Sequence, residues 1–204
     1  MPWGRRGCPA LGFPVRLGVR NLRKCACTCG SSVLEMRLKR AAQKSSPGRM
    51  TATATVWYFA YGSNMNRAQM RSRTGQILEE QPGRLDNYEM LFNKKSRGGS
   101  ATANIRSAPG KIVYGVLYKV PDAAFRSLDR FEGVPEHYRR IEVSVTDSAG
   151  RKVTAQVYVA TRVEKGLRPA PHYLQVILDG AGEHDLPPEY IGEIKANAGQ
   201  HSRS

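Results

Sequence analysis

Residues 56–65, Val-Trp-Tyr-Phe-Ala-Tyr-Gly-Ser-Asn-Met, restrict the folds open to this chain more than any other ten. Their first half is aromatic and β-branched and reads as a strand, which Gly62-Ser63-Asn64 breaks. Asn64 and Asn66, both good helix caps, precede a short helical run over 67–73. A strand that passes through glycine into a helix start gathers backbone N–H groups with no partner inside the helix. Such a place suits an anion, or a carbonyl oxygen that is becoming one. Many folds contain this element, so it defines a function only with a chemical partner elsewhere in the chain.

Charge and cysteine divide the 204 residues unevenly. Eleven of the 32 Lys and Arg fall in residues 1–50 with one of the 17 acids, Glu35, which leaves 21 bases against 16 acids in the remainder. Most of the net +15 therefore belongs to the first quarter. The body carries mixed signs, such as Arg139-Arg140 beside Glu142, as a solvated face does, so a nucleic-acid partner is not expected from it. Cys8, Cys25, Cys27 and Cys29 also lie in the first fifty, and Cys25-x-Cys27-x-Cys29 has no fourth ligand at a useful distance. The body thus has no thiolate nucleophile, no disulfide and no cysteine-bound metal. No run of about 18 apolar residues exists to span a membrane.

Three readings compete for residues 1–50: a transit peptide, a disordered basic arm, or sequence ahead of a later start at Met36 or Met50. The last two are favoured, with a cytoplasmic body at 51–198 and a polar tail at 199–204. In none of them does the first segment carry the chemistry.

Along the body, Gly75 marks a turn and Pro82-Gly83 reads as another. Residues 84–93 alternate, with Tyr88, Met90 and Phe92 on one face. Residues 94–100 read as a mobile basic loop, 101–105 as extended, and Pro109-Gly110 as the next turn. Residues 112–118 are apolar on both faces and predict a central strand, with Gly115 allowing close backbone approach. Pro121-Asp122 starts a helix that Gly133 stops. Alternating valines then predict a hairpin that turns at 147–150, and two proline-led helices follow, from His172 and from Pro188. Single helices inserted among mostly antiparallel strands predict an α+β fold.

The helix before Gly133 holds the partner. Phe125, Leu128, Asp129 and Glu132 fall at i, i+3, i+4 and i+7, so two carboxylates share a stripe that otherwise faces the core. Glu132 is also in the last turn, at the negative end of the helix dipole. Burial, the dipole and Asp129 all disfavour its ionisation and predict a raised pKa, as a general base needs. The alternative is that Asp129 and Glu132 only cap backbone groups or pair with Arg126 and Arg130. No motif gives Ser63 a His and Asp to activate it. His137 and His172 read as exposed or packing residues, and Tyr88, Tyr114 and Tyr118 as core aromatics.

Tyr58-Phe59-Ala60-Tyr61-Gly62-Ser63-Asn64 and Leu128-Asp129-Arg130-Phe131-Glu132-Gly133-Val134, at this separation, resemble the γ-glutamylcyclotransferase family. The resemblance extends through Tyr138, the hairpin, Pro171-His172-Tyr173 and Leu186-Pro187-x-Glu189-Tyr190, nearly all of 56–192. It implies a small, mixed, mostly antiparallel β-barrel with helices packed around it. It also implies a cofactor-free enzyme, monomeric or homodimeric, that cyclises a γ-glutamyl amide to 5-oxoproline and releases an amine. Glu132 would be the base. Tyr58, Phe59, Ala60, Tyr61, Gly62, Ser63, Asn64, Tyr138 and Tyr173 would hold the substrate. Other expectations on the same fold are a γ-glutamylamine cyclotransferase, a tailoring enzyme that removes a γ-glutamyl group, and a non-catalytic small-ligand binder. The loops at 94–100 and 162–169 would meet the leaving amine, and their sequence does not name it.

Overall fold

The structure, a computed structural model, describes residues 54–199. The readings made for 1–50, its four cysteines included, and for the tail from 200 onward lie outside the described residues. Five strands, β1 (Thr55–Ala60), β2 (Glu79–Lys95), β3 (Ala101–Pro121), β4 (Tyr138–Asp147) and β5 (Lys152–Ala160), close a barrel in the order β1-β3-β2-β4-β5. Four helices accompany it: α1 (Arg67–Thr74), α2 (Phe125–Glu132), α3 (Pro171–Glu183) and α4 (Pro188–Gly199). The fold is the α+β that the order of elements predicts and the mostly antiparallel barrel that the resemblance implies. The contact that closes the barrel is parallel, with Tyr58 of β1 opposite Gln156 of β5.

β3 takes the central place its two apolar faces demand, because it pairs with β1 on one side and β2 on the other. Val116, Leu117 and Tyr118 are fully buried there, and each large apolar side chain so buried contributes about 1.5–3 kcal/mol. Gly115 lets β1 approach: a Cβ at that position would lie 2.2 Å from the Ala60 carbonyl oxygen and 2.9 Å from the Phe59 ring.

Two predicted turns are corrected. Pro82 and Gly83 lie within β2, opposite Val116 and Gly115, and Gly83 also faces Asp147 of β4. Closing a barrel requires β2 to pair on both edges here, and that pairing overrides the local turn signal. Pro109 and Gly110 lie within β3. Asp86 faces Ile112 and Tyr88 faces Ser107, so Ala108 to Lys111 bulge opposite Asn87 alone. The expected mobile loop is shorter as well, since β2 continues to Lys95 and Lys94 is buried.

The end of β1 is held from behind. Asn66 caps α1 by accepting from Gln69 N at 2.9 Å. The Met65 carbonyl accepts from Tyr118 Oη at 2.8 Å and lies 3.1 Å from His184 Nε2. Gly180 of α3 packs so closely on this turn that a Cβ would stand 2.4 Å from Asn66 N.

Candidate active site

The chain leaves the barrel after Ala60 and makes a single 3-10 turn, Ser63–Met65, before α1. Within that turn Met65 N donates to Gly62 O and Asn66 N to Ser63 O. The amides of Gly62, Ser63 and Asn64 come before these bonds, and the first N–H groups of a helical turn have no acceptor inside it. A cleft of about 300 Å3, counting its open mouth, lies against them. Gly62 keeps it open, since a Cβ there would meet Ala103 Cβ at 3.2 Å and Tyr173 Oη at 3.6 Å.

Eight of the ten residues expected at a site come together around this cleft: Tyr58, Tyr61, Gly62, Ser63, Asn64, Glu132, Tyr138 and Tyr173. Phe59 and Ala60 do not line it. They are fully buried in the barrel wall, where the Phe59 ring and the Ala60 carbonyl pack against Gly115. A strand alternates its faces, so a continuous seven-residue motif cannot deliver every side chain to one side.

Glu132 is the only carboxylate lining the cleft among the described residues. Asn64 joins it to the loop. One amide nitrogen, Asn64 Nδ2, donates both to Tyr58 Oη at 2.8 Å and to Glu132 Oε1 at 3.0 Å. Asn64 Oδ1 accepts from Arg73 NH1 at 2.7 Å, and the same NH1 lies 3.2 Å from Glu132 Oε1. Burial pushes the Glu132 carboxyl above its ordinary range, while Arg73, the Asn64 hydrogen bond and Lys94 pull against that rise. Burial, one of the predicted causes, is the largest, and Asp129 is not among the charges that act on Glu132. Asp129 points elsewhere, accepting from Tyr158 Oη at 2.7 Å and pairing with Arg140 at 3.2 Å. Neither acid of the stripe pairs with Arg126 or Arg130.

The phenols that complete the cleft stay protonated at neutral pH. Burial pushes Tyr173 up to about 12, and its oxygen accepts from Ala103 N at 3.1 Å. Burial raises Tyr58, Tyr61 and Tyr138 well above the ordinary phenol value as well. Tyr138 Oη donates to Ala103 O at 2.8 Å. These groups can position and donate, and Glu132 is the one carboxylate beside them among the described residues. Among the described residues no three of His, Cys, Asp and Glu are grouped to hold a metal ion. None of the helices there is long and apolar enough to cross a membrane.

Four residues here were not anticipated: Arg73, Tyr158, Lys94 and Ala103. Lys94 had a signal, because Met90, Phe92 and Lys94 share one face at period two and all three are buried. Arg73 had a weaker one, four residues after Gln69 and three after the buried Met70. Tyr158 had none, for it falls between Val157 and Val159 on the face the alternation reads as outward, yet the ring lies 5.7 Å from that of Tyr58.

Residues 112–194 match the AIG2-like family. The γ-glutamylcyclotransferase of Mus musculus is 35% identical over 150 residues, 70% of this chain and 78% of the relative. That of Homo sapiens is 34% identical over 145 residues, 68% of this chain and 77% of the relative. A solved structure named gamma-glutamyl cyclotransferase superimposes with a TM-score of 0.66 at 32% identity, covering 70% of this chain and 88% of that one.

Proposed function

We infer that Glu132 moves the protons in this chain's reaction, on the premise that the chain belongs to the γ-glutamylcyclotransferase family. The substrate is a γ-glutamyl amide and the products are 5-oxoproline and a free amine. The α-amine of the γ-glutamyl group attacks its own γ-carbonyl through a five-membered ring, so the nucleophile comes with the substrate. Ring closure of this kind can supply about 7–11 kcal/mol of the barrier. The protein must accept a proton from the α-ammonium, stabilise the tetrahedral oxyanion, and protonate the departing nitrogen as the old C–N bond breaks.

Glu132 performs the first and third of these steps. Its raised pKa suits both, because the same group must accept a proton and then release it. The amides of Gly62, Ser63 and Asn64 face the oxyanion, a contribution of about 2.7–4 kcal/mol for each donor. Tyr58, Tyr138 and Tyr173, held neutral by burial, shape the γ-glutamyl subsite. The observation that supports this reading above the rest is the Asn64 amide, which fixes one carboxylate beside the loop amides.

The test is a screen of γ-glutamyl amides for 5-oxoproline release by the parent chain and by Glu132→Gln. Release by the parent and loss in the variant are expected. Turnover of no amide, or equal turnover by both proteins, would sink the assignment.

A further inference from the structure

Beside the cleft lies a second, larger pocket of about 910 Å3, counting its open mouth. The end of β2, the segment before β4 and the segment after β5 form its walls. All three are tied down. Glu164 N donates to Asn93 O at 2.7 Å, Thr161 N to His137 O at 3.1 Å, and Ala101 N to Arg168 O at 2.8 Å. The pocket is therefore built into the fold, although loops line it.

Its charge is unbalanced. Lys94, Lys95, Arg97 and Arg162 line it against Glu136 and Glu164, and Lys95 pairs with Glu164 at 3.1 Å. Among the described residues, no carboxylate forms an ion pair with Lys94, Arg97 or Arg162. Lys94 is only 8% exposed, which is unusual for a lysine without an acidic partner. Its ammonium stands 5.5 Å from the centre of the Tyr138 ring, and Tyr138 lines the reaction cleft. Burial lowers the pKa of Lys94 and the charge on Glu132 raises it, so the two sites share one field. A buried, unpaired cation on the wall between two pockets is a ready partner for an anion that spans them.

We propose that Lys94, Arg97 and Arg162 form a subsite for the leaving amine and select an amine with two carboxylates, such as an acidic α-amino acid. This rests on the cyclisation reading of the cleft. The amine nitrogen leaves beside Glu132, and the group attached to it must then occupy the space beyond Tyr138. Lys94, the innermost cation, meets the first carboxylate. The guanidinium forks of Arg97 and Arg162 suit a second one farther out. A neutral side chain would leave those two cations unused, and a cationic one would be repelled.

Two dipeptides of the same shape separate the possibilities: γ-glutamyl-glutamate and γ-glutamyl-glutamine, given to the full chain. The expected kcat/KM is about tenfold higher for the acidic dipeptide at low salt, with the advantage shrinking as salt is added. Arg97→Gln combined with Arg162→Gln should bring the ratio close to one, and Lys94→Met should weaken both dipeptides. Equal use of the two dipeptides by the parent overturns the proposal, as does a preference that survives the double substitution. Calorimetric binding to Glu132→Gln reads the same preference without turnover. A chain that binds the acidic dipeptide selectively but releases no 5-oxoproline would refute the cyclisation and keep the subsite. One that cyclises both dipeptides equally would do the reverse.

Discussion

Two glycine-marked interruptions of the barrel strands have opposite fates. At Gly62 the chain leaves the sheet, with β1 ended at Ala60 and the 3-10 turn and α1 following. At Pro109 and Gly110 it stays, and β3 runs through the interruption from Ala101 to Pro121. What packs behind each one makes the difference. Behind the Gly62 turn stand Gly180 of α3 and Glu132 of α2, the first in backbone contact and the second bonded to Asn64. Nothing lies within 4 Å of where a Gly110 Cβ would be, and the one specific tie is Gly110 N to Asn87 Oδ1 at 3.0 Å. An interruption backed by other elements can become a site, whereas one backed by solvent remains a kink.

The strongest challenge to that contrast is Glu132→Gln, which keeps the shape at the backed interruption and removes the proton chemistry proposed for it. The expected loss in kcat is about 10²- to 10⁴-fold. Unfolding of the protein should not explain it. Burial raises the Glu132 pKa in the fold, so the folded state binds that proton more tightly than the unfolded chain does. Stability then falls as pH rises from the unfolded carboxyl value of about 4.3 to the raised folded value, and the deficit persists at pH 7. A glutamine carries no such deficit. Thermal unfolding at pH 7 should put the variant at or above the parent, and a clear fall would mean that the ionised carboxylate supports the fold.

The next largest effect is expected at Gly180→Ala. A methyl group 2.4 Å from Asn66 N must push α3 and the turn apart, since both neighbours are backbone. Overpacking of this kind costs about 1–3 kcal/mol, and kcat/KM should fall with it because the displaced turn carries the site amides. Urea unfolding and kinetics on one preparation check both. A stable variant with full activity would show that the turn needs no backing from α3.

The same contrast explains how much the sequence revealed. Strands that alternate, the stripe on α2 and the hairpin were legible because each is set by neighbours a few residues away. Glu132 was legible too, as an acid where the stripe wants an apolar side chain. Arg73 was not, because its importance comes from Asn64 and Glu132 on other elements. His184 was missed for a similar reason: its partners, Tyr118 and Met65, are 66 and 119 residues away in sequence. Pro82 and Gly83 misled because turn chemistry is local and barrel closure is not. Lys94 was legible by its period-two spacing from Met90 and Phe92, but the basic run that follows drew it into a loop reading.

Arg73→Met sharpens the comparison by altering the backing without touching the turn. Arg73 opposes the rise in the Glu132 pKa, so its removal lets that pKa climb further. On the proposed reading Glu132 must be ionised to accept the α-ammonium proton, and the acidic limb of the pH–rate profile should therefore move upward. Activity lost on the acidic side should return on raising the pH. If the limb stays put while the rate falls at every pH, Arg73 positions the carboxylate and does not tune it.

The smallest effect is expected at the unbacked interruption. Gly110 has φ of 78°, in the left-handed region where a side chain costs about 1–2 kcal/mol. The space around it is open, so Gly110→Ala adds this backbone strain and no collision. The strain has little to travel through, since the bulge lies opposite Asn87 and nothing stands within 4 Å of the added methyl. The variant should lose roughly 1 kcal/mol in urea unfolding and keep its kcat/KM. If activity also drops, β3 transmits strain from the bulge to Ala103, which lies in the same strand and lines the cleft. The two interruptions would then be coupled through the strand they both adjoin, and the contrast between backed and unbacked glycines would fail.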